Sequence, residues 1–362
     1  MFSDLTGFSN LSGLTENMMN RSDIRLALPS KGALYQDTFN FLAACGLKVN
    51  RPNPRQYAAT IPDLPNLTVM FQRPGDIVIG VREGTVDFGI TGYDILAEKG
   101  VGDNGRTPLI LHDELGYGHC TLNLAVPEAQ PIRTLDELAA WAKTLPADGR
   151  SLRVATKFPQ VTGQFLAEHG VEPVKLVEVE GTLEIAPAIG FADLIADLVS
   201  SGITLRDNHL RPLSDGQILA SQAVLIANKQ TLQTRPEALD IARQMLEYIE
   251  AHLRAQGSYL VTANMRGDSP EAIAEAMQGR PYISGLQGPT VSRVVAPGTE
   301  TSWYAINIIV RQEHLFPAIA ELRAIGGSGV IVTPCTYIFE EEPARYRAML
   351  AALGMTGSRV AG

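Results

Sequence analysis

Carboxylates and hydroxyls are concentrated between Glu184 and Leu205. Asp197 lies in the short apolar run from Ile195 to Val199. A loop rich in hydroxyl groups follows, made of Ser200, Ser201, Gly202, Ile203 and Thr204. A carboxylate can accept hydrogen bonds from sugar hydroxyls, while hydroxyls and backbone N–H groups of a tight loop can bind phosphate oxygens. The segment therefore predicts a binding site for a sugar phosphate.

Two local structures fit this segment. Apolar residues at helical spacing would form one face of a helix, but that helix would direct its negative end at the phosphate, which costs about 0.3–1 kcal/mol. A strand over about 195–199, a loop over 200–203 and a helix from Thr204 would instead point backbone N–H groups at the anion. We favour this strand–loop–helix arrangement. An ordinary turn that uses Ser and Gly as turn formers is the alternative, and the flanking carboxylates favour a site.

The composition is typical of a globular protein. The chain has 362 residues, of which 45% are hydrophobic and 19% charged, and this length predicts two or three domains. A net charge of −9 argues against broad nucleic-acid binding, which needs a basic surface. Three distant cysteines form no disulfide framework and indicate a reducing cytoplasm, and six histidines show no paired metal spacing. Residues 1–22 resemble neither a signal peptide nor a membrane span, so we expect a flexible extension.

Strands and helices alternate along most of the chain, which predicts a mostly parallel sheet with helices on both faces. The segments 86–99 and 195–209 share one layout, in which a strand is followed by a glycine-containing loop and the loop leads into a helix. We therefore expect two similar lobes that bind ligands at the cleft where their strand ends meet. The predicted first lobe comprises 23–117 and 212–235, and the second comprises 118–211.

The chain beyond the lobes predicts a separate domain. An amphipathic helix over 236–256 is expected to connect it to the lobes. Residues 257–341 follow the order βαββαβ of a ferredoxin-like module, and 342–362 are expected to form a tail with one helical piece. Because modules of this kind often bind a small effector, the domain is a candidate regulatory domain.

The segment from Glu184 to Leu205 resembles the signature of the ATP phosphoribosyltransferases at each fixed position. Those positions are Glu184, Gly190, Asp197, Ser201-Gly202 and Thr204-Leu205. Four further segments, 28–32, 73–77, 86–94 and 115–120, resemble landmarks of the same family. The C-terminal module, with its glycines around Ser328, is similar to the histidine-binding regulatory domain of the long-form enzymes. The resemblance covers roughly residues 25–340.

The resemblance implies an α/β fold with two periplasmic-binding-protein-like catalytic lobes and a C-terminal ferredoxin-like regulatory domain. It implies transfer of the phosphoribosyl group of 5-phosphoribosyl 1-diphosphate to N1 of the adenine of ATP, with release of pyrophosphate, in the first step of histidine biosynthesis. Mg²⁺ would be held mainly by the substrate phosphates, and histidine would act as a feedback inhibitor. The chain would self-associate into dimers and hexamers in the cytoplasm, without the partner protein that short-form enzymes need.

The resemblance also implies roles for the residues of the second lobe. Asp197 would bind ribose hydroxyls, and the loop from Ser200 to Thr204 would bind the 5′-phosphate. Glu184 would bind ribose or position Mg²⁺, with a structural carboxylate as the alternative. Asp193 has the same two interpretations. Lys157 follows a predicted strand end, where it is either a substrate ligand or an ordinary surface charge.

Three residues of the first lobe and one of the C-terminal domain complete the predicted set. Lys31 and Arg73 would lie near the substrate phosphates, or else are solvated surface charges. Asp94 would contact ATP or cap the helix that it opens. Ser328 is the candidate residue of the effector site. The chain departs from the family pattern at Ala33, where an arginine usually follows Lys-Gly, so one basic contact to a phosphate is absent or is supplied by another residue such as Arg25 or Lys157.

Two other kinds of protein fit parts of the pattern. The Gly89-Ile90-Thr91-Gly92 segment in a two-lobed layout would suit a solute-binding protein, and the C-terminal module would suit an amino-acid sensor without catalysis. The lack of an export signal argues against the solute-binding protein, and the complete phosphoribosyl signature argues against both alternatives. Loss of turnover on substitution of Asp197 would distinguish an enzyme from either of them.

Overall fold

The computed structural model describes residues 23–53, 56–102, 105–179, 181–295 and 302–355. The chain divides into two compact units, Met1–Leu246 together with Ala344–Gly362, and Glu247–Pro343. The predicted extension over 1–22 lies outside the described residues. None of the helices in these ranges combines the length and the apolar character needed to cross a bilayer.

The first unit alternates strands and helices. Its strands are β1 (Ile24–Pro29), β2 (Ala58–Thr60), β3 (Leu67–Gln72), β4 (Phe88–Gly92), β5 (Leu109–His112), β6 (Cys120–Pro127), β7 (Leu152–Thr156), β8 (Val174–Glu178), β9 (Leu194–Val199), β10 (Leu210–Ser221) and β11 (Ala223–Ala227). Its helices before the second unit are α1 (Leu34–Ala44), α2 (Pro74–Glu83), α3 (Tyr93–Lys99), α4 (Leu135–Thr144), α5 (Pro159–Glu168), α6 (Ile203–Asp207) and α7 (Lys229–Thr234).

The first sheet has six strands in the order β2-β3-β1-β4-β11-β5. Strand β1 pairs in parallel with both β3 and β4, whereas β11 runs antiparallel to β4 and β5. Every residue of β4 and β11 is buried, as the continuous apolar sequence of central strands requires. Ile77 and Val81 of α2 pack on Ala27 and Ile226 of this sheet. The carboxyl ends of β1, β3 and β4 therefore meet at one edge of the sheet.

The second sheet has five strands in the order β10-β6-β9-β7-β8. Strand β7 is parallel to β8 and β9, while β6 is antiparallel to β9 and β10. Helix α4 covers one face with Leu135, Leu138 and Ala142, and it begins with a capping box between Thr134 and Glu137. We call the part built on the first sheet the first lobe and the part built on the second sheet the second lobe.

The chain crosses between the two sheets twice, from β5 to β6 and from β10 to β11. The first lobe is therefore discontinuous, but its predicted return at residue 212 is wrong. Strand β10 continues in the second sheet to Ser221, and its register against β6 is broken between Pro212 and Leu219. This strand lies at an edge of its sheet, and five of its twelve residues are exposed. Its polar sequence therefore gives little sign of a strand.

The second unit is a four-stranded antiparallel sheet with two helices. Helix α8 (Pro236–Ala255) leads into it, followed by β12 (Ser258–Arg266), α9 (Pro270–Met277), β13 (Thr290–Val294), β14 (Trp303–Arg311), α10 (Leu315–Ala324) and β15 (Ser328–Pro334). The strand order β13-β14-β12-β15 is that of a ferredoxin-like fold, as predicted. Helix α11 (Ala344–Ala352) follows and belongs to the first unit, so this part of the predicted tail is a packed helix.

Candidate active site

Lys157 and Asp197 lie beside each other at the carboxyl edge of the second sheet. Thr156, the last residue of β7, pairs with Ala196 of the parallel strand β9. Lys157 directly follows the end of β7, and Asp197 is the next residue of β9. The backbone pairing therefore brings together a cation and a carboxylate that are forty positions apart in the sequence.

The half-buried carboxylate of Asp197 has a distinctive electrostatic environment. Burial raises its pKa, the N–H of Leu198 donates a 2.8 Å hydrogen bond that lowers it, the charge of Lys157 lowers it, and the charge of Glu184 raises it, with a net shift upward. The charges of Lys157 and Glu184 are therefore both near enough to Asp197 to influence its ionisation. The three side chains offer donors and acceptors for a polar ligand.

The loop after β9 has the predicted strand–loop–helix geometry. Strand β9 ends at Val199 and helix α6 begins at Ile203, one residue before the predicted start. Gly202 has φ 71°, in the left-handed region that glycine enters without steric strain. The N–H of Ile203 approaches Oγ of Ser201 at 3.5 Å. The hydroxyls of this exposed loop face solvent, where they can bind phosphate oxygens.

One apolar cluster holds the Glu184 turn and the loop in place. Glu184 is in a 3-10 turn, Leu183–Ile185, whose Leu183 is buried with Ile195 of β9 and Leu205 of α6. Each of these three side chains is at most 5% exposed. Because one core packs under both segments, the distance between Glu184 and the Ser200–Thr204 loop is set by close packing.

Two arginine side chains bind the carboxylate of Asp193. Its carboxylate accepts hydrogen bonds from the side chains of Arg150 at 2.8 Å and Arg153 at 2.9 Å, and from the backbone N–H of Arg153. Burial acts to raise the pKa of Asp193, but the hydrogen bonds and charges of Arg153 and Arg150 outweigh it and lower the pKa. The pairing favours the structural interpretation of Asp193 over the substrate-binding one.

The predicted residues of the first lobe follow parallel strands. Lys31 comes after β1 and next to Gly32 (φ 91°), and Arg73 comes between β3 and α2. Both side chains are exposed. Since β1 and β3 are neighbours in parallel, both cations lie at the same sheet edge. Asp94, after β4, belongs to the same edge.

Asp94 has a protein partner across the lobes. The Ser221 hydroxyl donates to its Oδ1 at 2.7 Å, and the N–H of Asp94 donates to Oγ of Ser221 at 2.9 Å. The N-cap of α3 is Gly92, so the alternative prediction that Asp94 caps this helix is wrong. Asp94 is only 6% exposed.

Sequence reasoning missed Glu98. This residue of α3 is 6% exposed, and its carboxylate accepts hydrogen bonds from the N–H groups of Gln160 and Val161 in the second lobe. A signal existed, since Asp94 and Glu98 are spaced to share one face of a short helix that follows a buried strand.

Metal-ligating side chains are not clustered in the described ranges. No group of three or more His, Cys, Asp or Glu side chains there could hold a metal ion.

Ser328, the predicted effector residue, opens β15 in the second unit, and its hydroxyl donates to the carbonyl oxygen of Asn264 at 3.3 Å.

The sequence profile of the family described as ATP phosphoribosyltransferase matches residues 73–251, and the profile of the HisG C-terminal domain matches residues 255–337. ATP phosphoribosyltransferase 2, chloroplastic, from Arabidopsis thaliana is 44% identical over 355 residues, which are 96% of this chain and 85% of that protein. ATP phosphoribosyltransferase from Methanocaldococcus jannaschii is 34% identical over 86% of this chain and 98% of its own length.

Solved structures show similar chains at lower identity. A chain of the ATP phosphoribosyl transferase (HisG:HisZ) complex from Thermotoga maritima has a TM-score of 0.48 and 24% identity, over 63% of this chain and 98% of its own. The substrate binding protein of an amino acid ABC transporter has a TM-score of 0.39 and 12% identity, over 65% of this chain and 94% of its own.

Proposed function

The chain belongs to the ATP phosphoribosyltransferase family, and we propose that its second lobe binds 5-phosphoribosyl 1-diphosphate while the first lobe completes the site for ATP. The enzyme transfers the phosphoribosyl group to N1 of the adenine, the first step of histidine biosynthesis. The observation that carries the assignment of the site is the adjacency of Asp197 and Lys157 beside the Gly202 loop. A carboxylate for hydroxyls, a cation and a phosphate-binding loop are the groups that a phosphorylated sugar requires.

The proposed chemistry needs no protein nucleophile. The N1 lone pair of adenine forms the new bond to C1′ as the bond from C1′ to the diphosphate oxygen breaks, and the bonding pair leaves with pyrophosphate. Positive charge develops on the sugar ring, and negative charge develops on the departing oxygen. The protein must therefore hold two reactants in line and stabilise both charges.

The residues divide these tasks. Asp197 accepts hydrogen bonds from the ribose hydroxyls, and the Ser200–Thr204 loop holds the 5′-phosphate. Lys31 and Arg73, at the carboxyl edge of the first sheet, together with Lys157 supply positive charge to the diphosphate. Because Ala33 carries no charge, these cations would stand in for the arginine usual in the family.

We propose that Mg²⁺ enters with the substrates. Carboxylate and phosphate oxygens are the ligands that this ion prefers, and it commonly keeps several waters. Glu184 and Asp197 are the carboxylates of the proposed site that would hold it, directly or through water. The ion would supply positive charge that neutralises the diphosphate. Chelation of Mg²⁺ should abolish turnover, and its restoration should recover it.

The direct test is pyrophosphate release from ATP and 5-phosphoribosyl 1-diphosphate with Mg²⁺. Release should require both substrates, and the product should be a nucleotide substituted at N1 of adenine. Release without ATP would indicate hydrolysis of the sugar diphosphate. Binding of both substrates without any release would favour a binding protein instead.

Regulation and assembly are further parts of the proposal. The ferredoxin-like unit would bind histidine and reduce turnover, with Ser328 at the effector site, and histidine titration of the same assay tests this. The chain would self-associate into dimers and hexamers, which sedimentation velocity would measure. Its location would be the cytoplasm, a proposal supported by the three unlinked cysteines.

A further inference from the structure

Helix α3 of the first lobe carries two buried carboxylates that both accept hydrogen bonds from the second lobe. Asp94 and Glu98 are four residues apart, so their side chains lie one above the other on the helix. Asp94 accepts from the hydroxyl of Ser221 at 2.7 Å. Glu98 accepts from the N–H of Gln160 at 2.9 Å and of Val161 at 3.1 Å. Both ends of this short helix are therefore held against the other lobe.

The Glu98 contact differs from an ordinary helix cap. Gln160 and Val161 are in the first turn of α5, where backbone N–H groups have no partner within the helix. Negative charge is favoured there because the N-terminal end of a helix is positive. A cap usually comes from the residues just before the helix, whereas Glu98 is 62 positions from Gln160 and belongs to the other lobe. The contact therefore ties the orientation of α5 to the first lobe.

Helix α5 is connected to the candidate site through two residues. Lys157 and Phe158 join β7 to Pro159, the first residue of α5. Phe158 is 3% exposed, and its N–H donates to Oγ1 of Thr156 at 3.0 Å. A linker this short and this well packed transmits a displacement of α5 to Lys157 with little loss.

We propose that Glu98 is a positioning residue for the transfer reaction: by binding the N-terminus of α5 it fixes Lys157 and the second lobe relative to Lys31 and Arg73 of the first. This proposal rests on the proposed function, in which the two lobes hold different parts of the reacting pair. In-line transfer is sensitive to the separation of the reacting atoms, and a misplacement of about 1 Å can reduce the rate about 100-fold. Glu98 touches neither reactant in this account.

The test compares Glu98→Ala and Glu98→Gln with a matched control, Glu168→Ala. Glu168 is an exposed carboxylate at the other end of α5, and it accepts a hydrogen bond from the side chain of Gln164 in the same helix. In Glu98→Ala we expect kcat per folded enzyme to fall about 100-fold. The dissociation constant for 5-phosphoribosyl 1-diphosphate should change less than about threefold, because its main contacts are within the second lobe. Glu98→Gln retains one acceptor oxygen, so its kcat should fall only about tenfold.

Amide exchange measures the contact itself, independently of activity. The N–H groups of Gln160 and Val161 should exchange slowly in the wild-type protein and in Glu168→Ala, and faster in Glu98→Ala. Faster exchange with unchanged kcat in both Glu98 variants would overturn the proposal and leave Glu98 a structural cap. If the wild-type protein shows no turnover, the proposed function fails and this role for Glu98 fails with it. The exchange data would still show whether the interlobe contact exists.

Discussion

Lys157 and Asp197 each lie one residue beyond the Thr156–Ala196 pair of two neighbouring parallel strands, Lys157 just after the end of β7 and Asp197 within β9. The ammonium group of Lys157 lowers the pKa of Asp197, although burial, the largest influence, leaves it above its usual range. Because Asp197 must be ionised to bind ribose hydroxyls in the proposed mechanism, turnover should fall as the pH falls through this pKa.

The acid limb of the pH–rate profile should therefore move in opposite directions in two variants. Lys157→Met removes the cation that lowers the Asp197 pKa, so the limb of kcat/KM should shift to higher pH. Glu184→Gln removes the anion that raises the same pKa, so the limb should shift to lower pH. Both variants will also turn over more slowly, and the position of the limb, not its height, is the quantity to compare. Shifts in the same direction would exclude Asp197 as the group responsible.

The lowered pKa of His112 predicts that the folded protein loses stability in acid. It is buried in β5, and desolvation, together with the charge of Arg345 and despite that of Asp113, lowers its pKa from 6.5 to about 4. The unfolded chain binds this proton below about pH 6.5 and the folded chain only below about pH 4. The contribution of neutral His112 to the free energy of unfolding is therefore fully present above about pH 6.5. It decreases by about 3 kcal/mol as the pH falls from about 6.5 to about 4.

His112→Asn should remove that contribution while keeping an acceptor for the N–H of Glu114, which donates to Nδ1 of His112 at 3.2 Å. Urea unfolding should show a smaller decrease in stability between about pH 7 and about pH 4 than in the wild-type protein. His119→Asn, at an exposed site, is the control and should retain the wild-type slope. An unchanged slope in His112→Asn would show that His112 is not the group responsible.

Ser328→Ala tests the proposed effector site. If the Ser328 hydroxyl binds histidine, its loss should weaken histidine inhibition about 3–10-fold, the range expected for one hydrogen bond. Histidine titration of pyrophosphate release gives the measurement, with Ser292→Ala as the control. Ser292 is an exposed serine of β13 in the same unit, and its variant should be inhibited like the wild-type protein. Equal inhibition of the wild-type protein, Ser328→Ala and Ser292→Ala by histidine would show that the Ser328 hydroxyl does not bind the effector.

The local structure of the site was predictable because the signals lie close together in the sequence. An apolar run followed by hydroxyls and a glycine correctly indicated β9, the Ser200–Gly202 loop and α6. The ferredoxin-like unit was likewise predictable, since each of its helices and strands has a clear periodicity and the order βαββαβ is characteristic.

Contacts between distant segments were not predictable in the same way. The two arginines that pair with Asp193 are 43 and 40 positions away, and nothing near Asp193 indicates them. The contact of Glu98 with α5 depends on the packing of two lobes. The lobe boundary was misplaced because β10 is a polar edge strand, for which the apolar signal of a buried strand is absent.

Pyrophosphate release by the wild-type protein and by Asp197→Asn tests the central claim most directly. The wild-type protein should release pyrophosphate only when ATP, 5-phosphoribosyl 1-diphosphate and Mg²⁺ are all present. Asp197→Asn should fold normally and lose about 100-fold or more of that activity, because charged hydrogen bonds to two hydroxyls are weakened. Asp207→Asn, at an exposed carboxylate of α6, should retain it. No release by the wild-type protein, or full activity in Asp197→Asn, would contradict the account.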